Sequence, residues 1–166
     1  RCIGDHESLD PKPIELIATA QFYQAASLVA GFAATLGESE HEARYRLLAD
    51  QIKQAFVARF LEAGTGRFGS ATQAAQAAAL YLGLVPEGEI GAATQRMVDQ
   101  VKVTHGGHVA TGIFGTKYLL DSLSRTGHAG VAYGMVDTPD FPGWGFRLAN
   151  DAPTPSETRH RAGIHI

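Results

Sequence analysis

Hydrophobic side chains recur every three or four residues along most of this chain, a spacing that places them on one face of an α-helix. The pattern predicts a first helix from residue 14 to about residue 36, which Gly37 ends as a C-terminal stop. Residues 1–13 contain two prolines, one glycine and two aspartates, and this composition predicts a loop.

The second helix is predicted to begin at a capping box, in which Ser39 caps the first turn and Glu42 reaches back to it. The helix ends before the glycine-containing turn at residues 64–66. Its apolar face consists of residues spaced by four: Leu48, Ile52, Phe56 and Phe60.

Four shorter helices are predicted over residues 72–82, 90–103, 116–124 and 128–136, separated by turns at glycine or proline. No segment alternates apolar and polar residues for long, so strands have little support. The fold class is therefore predicted to be all-α, built from consecutive helical hairpins. We assign residues 1–150 to one helical domain and residues 151–166 to an irregular tail, with irregular structure starting at residue 137.

Composition narrows the possible partners. The 166 residues carry a net charge of −3, from 14 basic and 17 acidic residues, and this balance gives no indication of nucleic-acid binding. The single cysteine, Cys2, excludes an internal disulfide and a zinc cage built from cysteines. The longest apolar stretches are interrupted by Gln, Ser or Thr, so no membrane-spanning segment is predicted.

The chain begins without an initiator methionine or a signal-peptide pattern, as expected for a piece of a longer protein. Without a disulfide or a signal sequence, the bacterial cytoplasm is the expected location.

Four segments carry a resemblance to a known family when they are taken together. They are residues 4–20 (Gly-Asp-His-Glu-Ser-Leu, then Lys-Pro and Leu-Ile-Ala-Thr-Ala), 72–87 (Thr-Gln through Leu-Val-Pro-Glu), 107–116 (Gly-His-Val-Ala-Thr-Gly-Ile-Phe-Gly-Thr) and 141–146 (Phe-Pro-Gly-Trp-Gly-Phe). In order and spacing they resemble the C-terminal half of the catalytic barrel of bacterial α-L-rhamnosidases, over nearly the whole chain.

The resemblance implies an (α/α)6 barrel of six helical hairpins that hydrolyses terminal α-L-rhamnosides with inversion and without a cofactor. This chain would form about half of that barrel. Half a barrel leaves apolar faces uncovered, so pairing of two copies into a homo-oligomer is expected to complete the array. An inverting glycosidase needs two carboxyl groups roughly 6.5–9.5 Å apart, one as acid and one as base.

The resemblance also implies roles for individual residues. The family's acid lies in a motif ahead of the first residue of this chain, and its base position falls on Glu157, where Pro153 and Pro155 depart from the family pattern. Asp5 is a second catalytic candidate, since it lies in the loop beside the cleft. His108 would contact substrate and Trp144 would stack on a sugar ring.

Each of these residues also has a structural interpretation. Glu157 would be a solvated carboxylate in the tail, and Asp5 an ordinary turn residue before a helix. His108 would hydrogen-bond to backbone, and Trp144 would cap the core. Because the acid motif is absent, the isolated chain is predicted to lack rhamnosidase activity, since loss of general acid catalysis costs about 10²–10⁴-fold in rate.

An alternative function rests on the seven histidines. A zinc or manganese ion held in an oligomer cavity would activate water and hydrolyse activated esters, such as phosphotriesters or aryl esters. The candidate ligands are His105, His108, His160 and His165. A third possibility is that the chain is a binding or structural piece without catalysis. A bound metal would distinguish the ester hydrolase from the other two possibilities. Retained sugar binding would distinguish the rhamnosidase-derived fragment from a merely structural piece.

Overall fold

In a computed structural model of the chain, which describes residues 4–149, the protein is about 68% helical, and the all-α prediction is confirmed. The helices are α1 (Ile14–Leu36), α2 (Ser39–Phe60), α3 (Gln73–Tyr81), α4 (Ile90–Asp99), α5 (Ile113–Arg125), α6 (Ala129–Asp137) and α7 (Trp144–Ala149). A 3₁₀ turn at Glu87–Glu89 leads into α4, and a π-helical turn at Gln100–Thr104 extends it.

The first hairpin is formed by α1 and α2, and α1 has the predicted bounds. Gly37 ends α1 in the left-handed conformation, with a φ of 74°. This conformation lets the amide of Glu38 donate to the carbonyl of Ala33 at 2.9 Å, which satisfies one of the last carbonyls of the helix.

Three local predictions are wrong. Ser39 is the first residue of α2 rather than its cap, and no side chain caps that helix. Residues 61–68 form a small antiparallel hairpin of β1 (Leu61–Glu62) and β2 (Arg67–Phe68), held by the carboxylate of Glu89, which accepts from the amides of Gly64 and Gly66. Residues 144–149, predicted to be irregular, form α7.

The core lies between the α1–α2 hairpin and a group formed by α3, α4 and α5, in which α3 is central. Every residue of α3 from position 73 to position 79 is fully buried, and five of the seven are alanines. These small side chains let α4 and α5 approach the α3 backbone closely. In the same core, the fully buried ring of Phe56 stacks on the ring of Phe68 at a centroid distance of 5.8 Å.

Helix α1 differs from expectation in one respect. It has 23 residues and a mean hydropathy of 1.2 over an 18-residue window, so it is long and apolar enough to cross a membrane. No membrane-spanning segment was predicted from the sequence, because polar residues interrupt the apolar stretches. Length and composition alone do not assign a membrane span, because the core helix of a soluble protein meets the same criteria.

Candidate functional site

Two loops that are distant in sequence lie side by side at one end of the helices. They are the leading loop (residues 4–13) and the central loop (residues 105–112). The amides of Leu9 and Asp10 both donate to the carbonyl of Ala110, at 3.0 and 3.3 Å, and the amide of Ile113 donates to the carbonyl of His6 at 2.9 Å. These backbone bonds fix the central loop, which carries His105 and His108, against the start of the chain.

Asp5 anchors this arrangement from a fully buried position. Its Oδ2 accepts from the amide of Gly112 at 2.7 Å, and its Oδ1 accepts from the amide of Gly115 at 2.8 Å. These amides lie at the start of α5, where backbone donors have no partner within the helix and where negative charge is favourable. Both oxygens of this predicted catalytic carboxylate are therefore engaged by backbone, and its catalytic role stays a prediction.

The two glycines are required by the closeness of the loops. A Cβ at Gly115 would overlap Oδ2 of Asp5, and a Cβ at Gly112 would overlap the carbonyl oxygen of His6. Neither space admits a side chain. The Gly-Ile-Phe-Gly pattern at residues 112–115 thus allows the buried carboxylate to reach two amides of α5.

Gln73 holds the other side of the central loop. Its buried side chain donates from Nε2 to the carbonyl of His108 at 2.9 Å and accepts at Oε1 from the amide of Ala110 at 2.8 Å. The sequence pattern did not predict that Gln73 positions the central loop. Its only signal is that a glutamine stands among alanines in the first turn of a predicted helix.

We expect Gln73→Leu to lower the free energy of unfolding by about 1–3 kcal/mol, because it leaves the half-buried carbonyl of His108 and the buried amide of Ala110 without their partner. Hydrogen exchange at the amide of Ala110 should accelerate, as measured by mass spectrometry or NMR. Gln95→Leu is the matched control, since Gln95 is exposed and bonds only to Asp99 of its own helix. Unchanged exchange at Ala110 would contradict the role given to Gln73.

His105 is engaged at both ring nitrogens. Nδ1 lies 2.8 Å from the carbonyl oxygen of Gln100, and Nε2 lies 2.9 Å from Oδ1 of Asp10. Both contacts occupy the space in front of the ring nitrogens, so neither nitrogen faces an open position in this arrangement. The contact with Asp10 instead joins the central loop to the leading loop.

His108 presents a different ring. Its Nδ1 lies 3.0 Å from the carbonyl oxygen of His105, and since a carbonyl only accepts, Nδ1 carries the proton of this bond. In the neutral ring Nε2 then bears a lone pair, and this buried atom has no hydrogen-bond partner among residues 4–149. Nε2 is therefore a hydrogen-bond acceptor that no described residue uses.

The other candidate ligands are not described. His160, His165 and the predicted base Glu157 lie outside residues 4–149. Within those residues, no group of three or more His, Cys, Asp or Glu side chains could hold a metal ion. The zinc or manganese site stays a prediction.

Trp144 lies at the start of α7 and lines a small pocket that opens to solvent. The pocket joins two of the family-like segments, since its other described lining residues are Val109, Thr116, Leu120, Met135 and Val136. The structure thus brings Trp144 beside the residue that follows His108. The predicted sugar-binding roles of these two residues are not tested by this proximity.

Helix α5 also carries Tyr118, whose hydroxyl group has a shifted pKa. Burial raises the pKa of Tyr118 above its ordinary value, and a hydrogen bond with Gln21 opposes this shift. The ring stacks on Tyr81 at a centroid distance of 4.6 Å. A neutral, stacked tyrosine at this position is part of the packing between α3 and α5.

Comparison with known proteins places this arrangement in a family. The family model described as the bacterial alpha-L-rhamnosidase 6 hairpin glycosidase domain matches residues 3–160. An alpha-L-rhamnosidase of Streptomyces avermitilis is 35% identical over 145 residues, which cover 87% of this chain and 14% of that protein. One from Formosa agariphila is 33% identical over 140 residues, which cover 82% of this chain and 14% of the relative.

Solved structures give the same result. The crystal structure of the Streptomyces avermitilis alpha-L-rhamnosidase complexed with L-rhamnose matches 95% of this chain with a TM-score of 0.84 and 32% identity, and 16% of that chain is covered. The alpha-L-rhamnosidase from Dictyoglumus thermophilum matches 96% of this chain with a TM-score of 0.89 and 29% identity, covering 19% of its own length. The chain spans less than a fifth of these relatives, yet it belongs to the bacterial α-L-rhamnosidase six-hairpin glycosidase domain family.

Proposed function

We propose that this chain is a truncated glycoside hydrolase fragment of the α-L-rhamnosidase type, without rhamnosidase activity on its own. In this proposal His108 and Trp144 are what remains of a sugar-binding surface. The ligand class follows from the relatives, one of which was crystallised with L-rhamnose.

The absence of a carboxylate pair at the pocket is the observation that supports the loss of activity. Inverting hydrolysis needs an acid and a base roughly 6.5–9.5 Å apart. Among the described residues, those that line the pocket beside Trp144 include no carboxylate. Asp5, the catalytic candidate in the leading loop, has both oxygens bound to the backbone of α5. Within residues 4–149, this pocket is therefore not lined by such a pair.

We expect the purified chain to hydrolyse an aryl α-L-rhamnoside at a rate at least about 10²–10⁴-fold below that of a full-length relative, because general acid catalysis contributes a factor of that size. Release of the aryl alcohol, followed by absorbance, measures this directly. Turnover comparable to that of the full-length enzyme would contradict the proposal.

Glu157→Gln is the control for any residual activity. Turnover that is present in the chain and lost in this variant would show that a working base survives, and would also contradict the proposal. The fluorescence of Trp144, the only tryptophan, reports on binding in the same samples. Saturable quenching by L-rhamnose without turnover supports a fragment that has kept its sugar-binding surface.

We further propose that the chain associates with itself. Its relatives are far longer than the segment that this chain matches, and the helices of this segment leave large apolar side chains uncovered. Apolar surfaces of this kind promote association in water. Two copies would cover them most simply, since each copy presents the same surface.

A further inference from the structure

Among the residues that the structure describes, His105 is the side chain that bonds the carboxylate of Asp10. Its Nε2 lies 2.9 Å from Oδ1 of Asp10, and the two side chains are only 21% and 15% exposed. The other carboxylate oxygen, Oδ2, is buried and has no hydrogen-bond partner within residues 4–149. Since a buried carboxylate without a partner is strongly unfavourable, the position of the Asp10 side chain depends on His105.

The backbone of Asp10 lies where the leading loop meets the central loop. Its amide and the amide of Leu9 donate to the carbonyl of Ala110, at 3.3 and 3.0 Å. The hydroxyl of Ser8 lies 3.1 Å from the same carbonyl oxygen and 3.0 Å from the carbonyl oxygen of Asp10. The carbonyl of Ala110 is thus the point to which the leading loop is bonded, and Ala110 follows Val109, which lines the pocket beside α7.

At its other end, His105 is held by the last turn of the preceding helix. The π-helical turn Gln100–Thr104 brings the carbonyl of Gln100 to the backbone amide of His105 at 3.2 Å and to its Nδ1 at 2.8 Å. Single π-helical turns of this kind are frequent at functional sites. The carbonyl of His105 then lies 3.0 Å from both the backbone nitrogen and Nδ1 of His108. His105 therefore connects the end of a helix, the leading loop and His108.

We propose that His105 is a positioning residue. Its Nε2 bond to Asp10 holds the leading loop against the central loop, and this contact forms the surface that carries His108 and Trp144. The inference rests on the proposed sugar-binding surface and adds the side chain that assembles it. A histidine with a purely structural role would stabilise the chain without changing its affinity for a sugar.

Two variants separate the two bonds of the His105 ring. The amide nitrogen of a glutamine side chain lies as many bonds from Cα as Nε2 of histidine, and that of asparagine lies as many bonds away as Nδ1. His105→Gln therefore keeps a donor that reaches Asp10, whereas His105→Asn keeps only the donor that reaches the carbonyl of Gln100. Each variant retains one bond of the ring, so both should fold, and circular dichroism should show the helix content of the wild type.

The affinity for L-rhamnose, measured by quenching of Trp144 fluorescence, is the deciding quantity. His105→Gln should bind like the wild type, and His105→Asn should bind roughly tenfold more weakly, the effect of losing one hydrogen bond's contribution. His41→Asn is the matched control, since this histidine is exposed on α2, and it should bind like the wild type. An affinity of His105→Asn equal to or above that of His105→Gln would overturn the positioning role alone. A wild type without saturable quenching would overturn the sugar-binding surface itself.

Hydrogen exchange tests the contact between the loops without a ligand. The amides of Leu9 and Asp10 should exchange faster in His105→Asn than in the wild type or in His105→Gln, because they donate to the carbonyl of Ala110 across this contact. Equal exchange at these amides in all three chains would overturn the link from His105 to the leading loop.

A double variant tests whether Asp10 and His105 act through one bond. Asp10→Ala removes the acceptor of that bond and should weaken L-rhamnose binding as His105→Asn does. The combined variant Asp10→Ala/His105→Asn should bind no more weakly than either single variant, because the same bond is lost in all three. Additive losses of affinity would show that the two residues act separately, which would overturn the proposed link.

Discussion

Replacing Phe56 with aspartate should abolish folding of this chain. The ring of Phe56 is fully buried and packs between Phe60 and Phe68, at centroid distances of 5.1 and 5.8 Å. Truncating a buried phenylalanine costs roughly 3–5 kcal/mol, and an aspartate without a partner in the same space adds a further penalty of several kcal/mol. The sum is comparable to the whole stability of a domain, about 5–15 kcal/mol.

Circular dichroism and thermal melting measure this effect. The Phe56→Asp chain should lose its cooperative transition and most of its helical signal. Tyr133→Asp introduces the same charge at a side chain that is 77% exposed on α6, and it should melt like the wild type. Phe56→Leu keeps the position apolar and should retain the fold with a lower midpoint. A cooperative Phe56→Asp chain with an unchanged midpoint would contradict the placement of Phe56 in the core.

The local pattern of the sequence was sufficient to predict the helices that are long and strongly periodic. Helix α1 begins and ends where the spacing of apolar residues and Gly37 indicated, because a left-handed glycine is a backbone requirement that the sequence displays directly. Phe56 and Ile52 were correctly placed on the buried face of α2.

The errors arise where a short segment has partners elsewhere in the chain. Ser39 has the right residue type for a cap, yet α2 starts one residue earlier than a cap would allow. The β1–β2 hairpin depends on the carboxylate of Glu89, more than twenty residues further on. Helix α7 lies among prolines and glycines, whose composition alone predicted a loop.

The candidate site also combines segments that the sequence identified with long-range contacts that it did not predict. The segments that carry His108 and Trp144 were found from their resemblance to a family, and the structure brings Val109 of one segment and Trp144 of the other into one pocket. The contacts that hold those segments could not be read from the sequence, because they join residues as far apart as Asp5 and Gly115 or Gln73 and Ala110. Buried polar contacts of this kind depend on the tertiary arrangement rather than on any local pattern.

Replacing Asp5 with alanine should lower the free energy of unfolding by about 3–5 kcal/mol. Each hydrogen bond to a charged group contributes roughly 1.5–3 kcal/mol, and the fully buried Asp5 accepts two of them from the amides of Gly112 and Gly115. Denaturant unfolding measures the loss, and hydrogen exchange at these two amides should accelerate.

The choice of variants separates the structural role of Asp5 from the catalytic role that the family resemblance suggested. Asp5→Asn keeps the shape but retains only one acceptor oxygen, so one of the two amides of α5 faces an amide group, and we expect a loss of stability close to that of Asp5→Ala. Asp121→Ala is the matched control, because this carboxylate on the same helix is partly exposed and pairs only with Lys117 at 3.0 Å. It should cost no more than about 0.5 kcal/mol. An Asp5→Ala chain as stable as Asp121→Ala, with slow exchange at Gly112 and Gly115, would contradict the structural role and return Asp5 to the catalytic candidates.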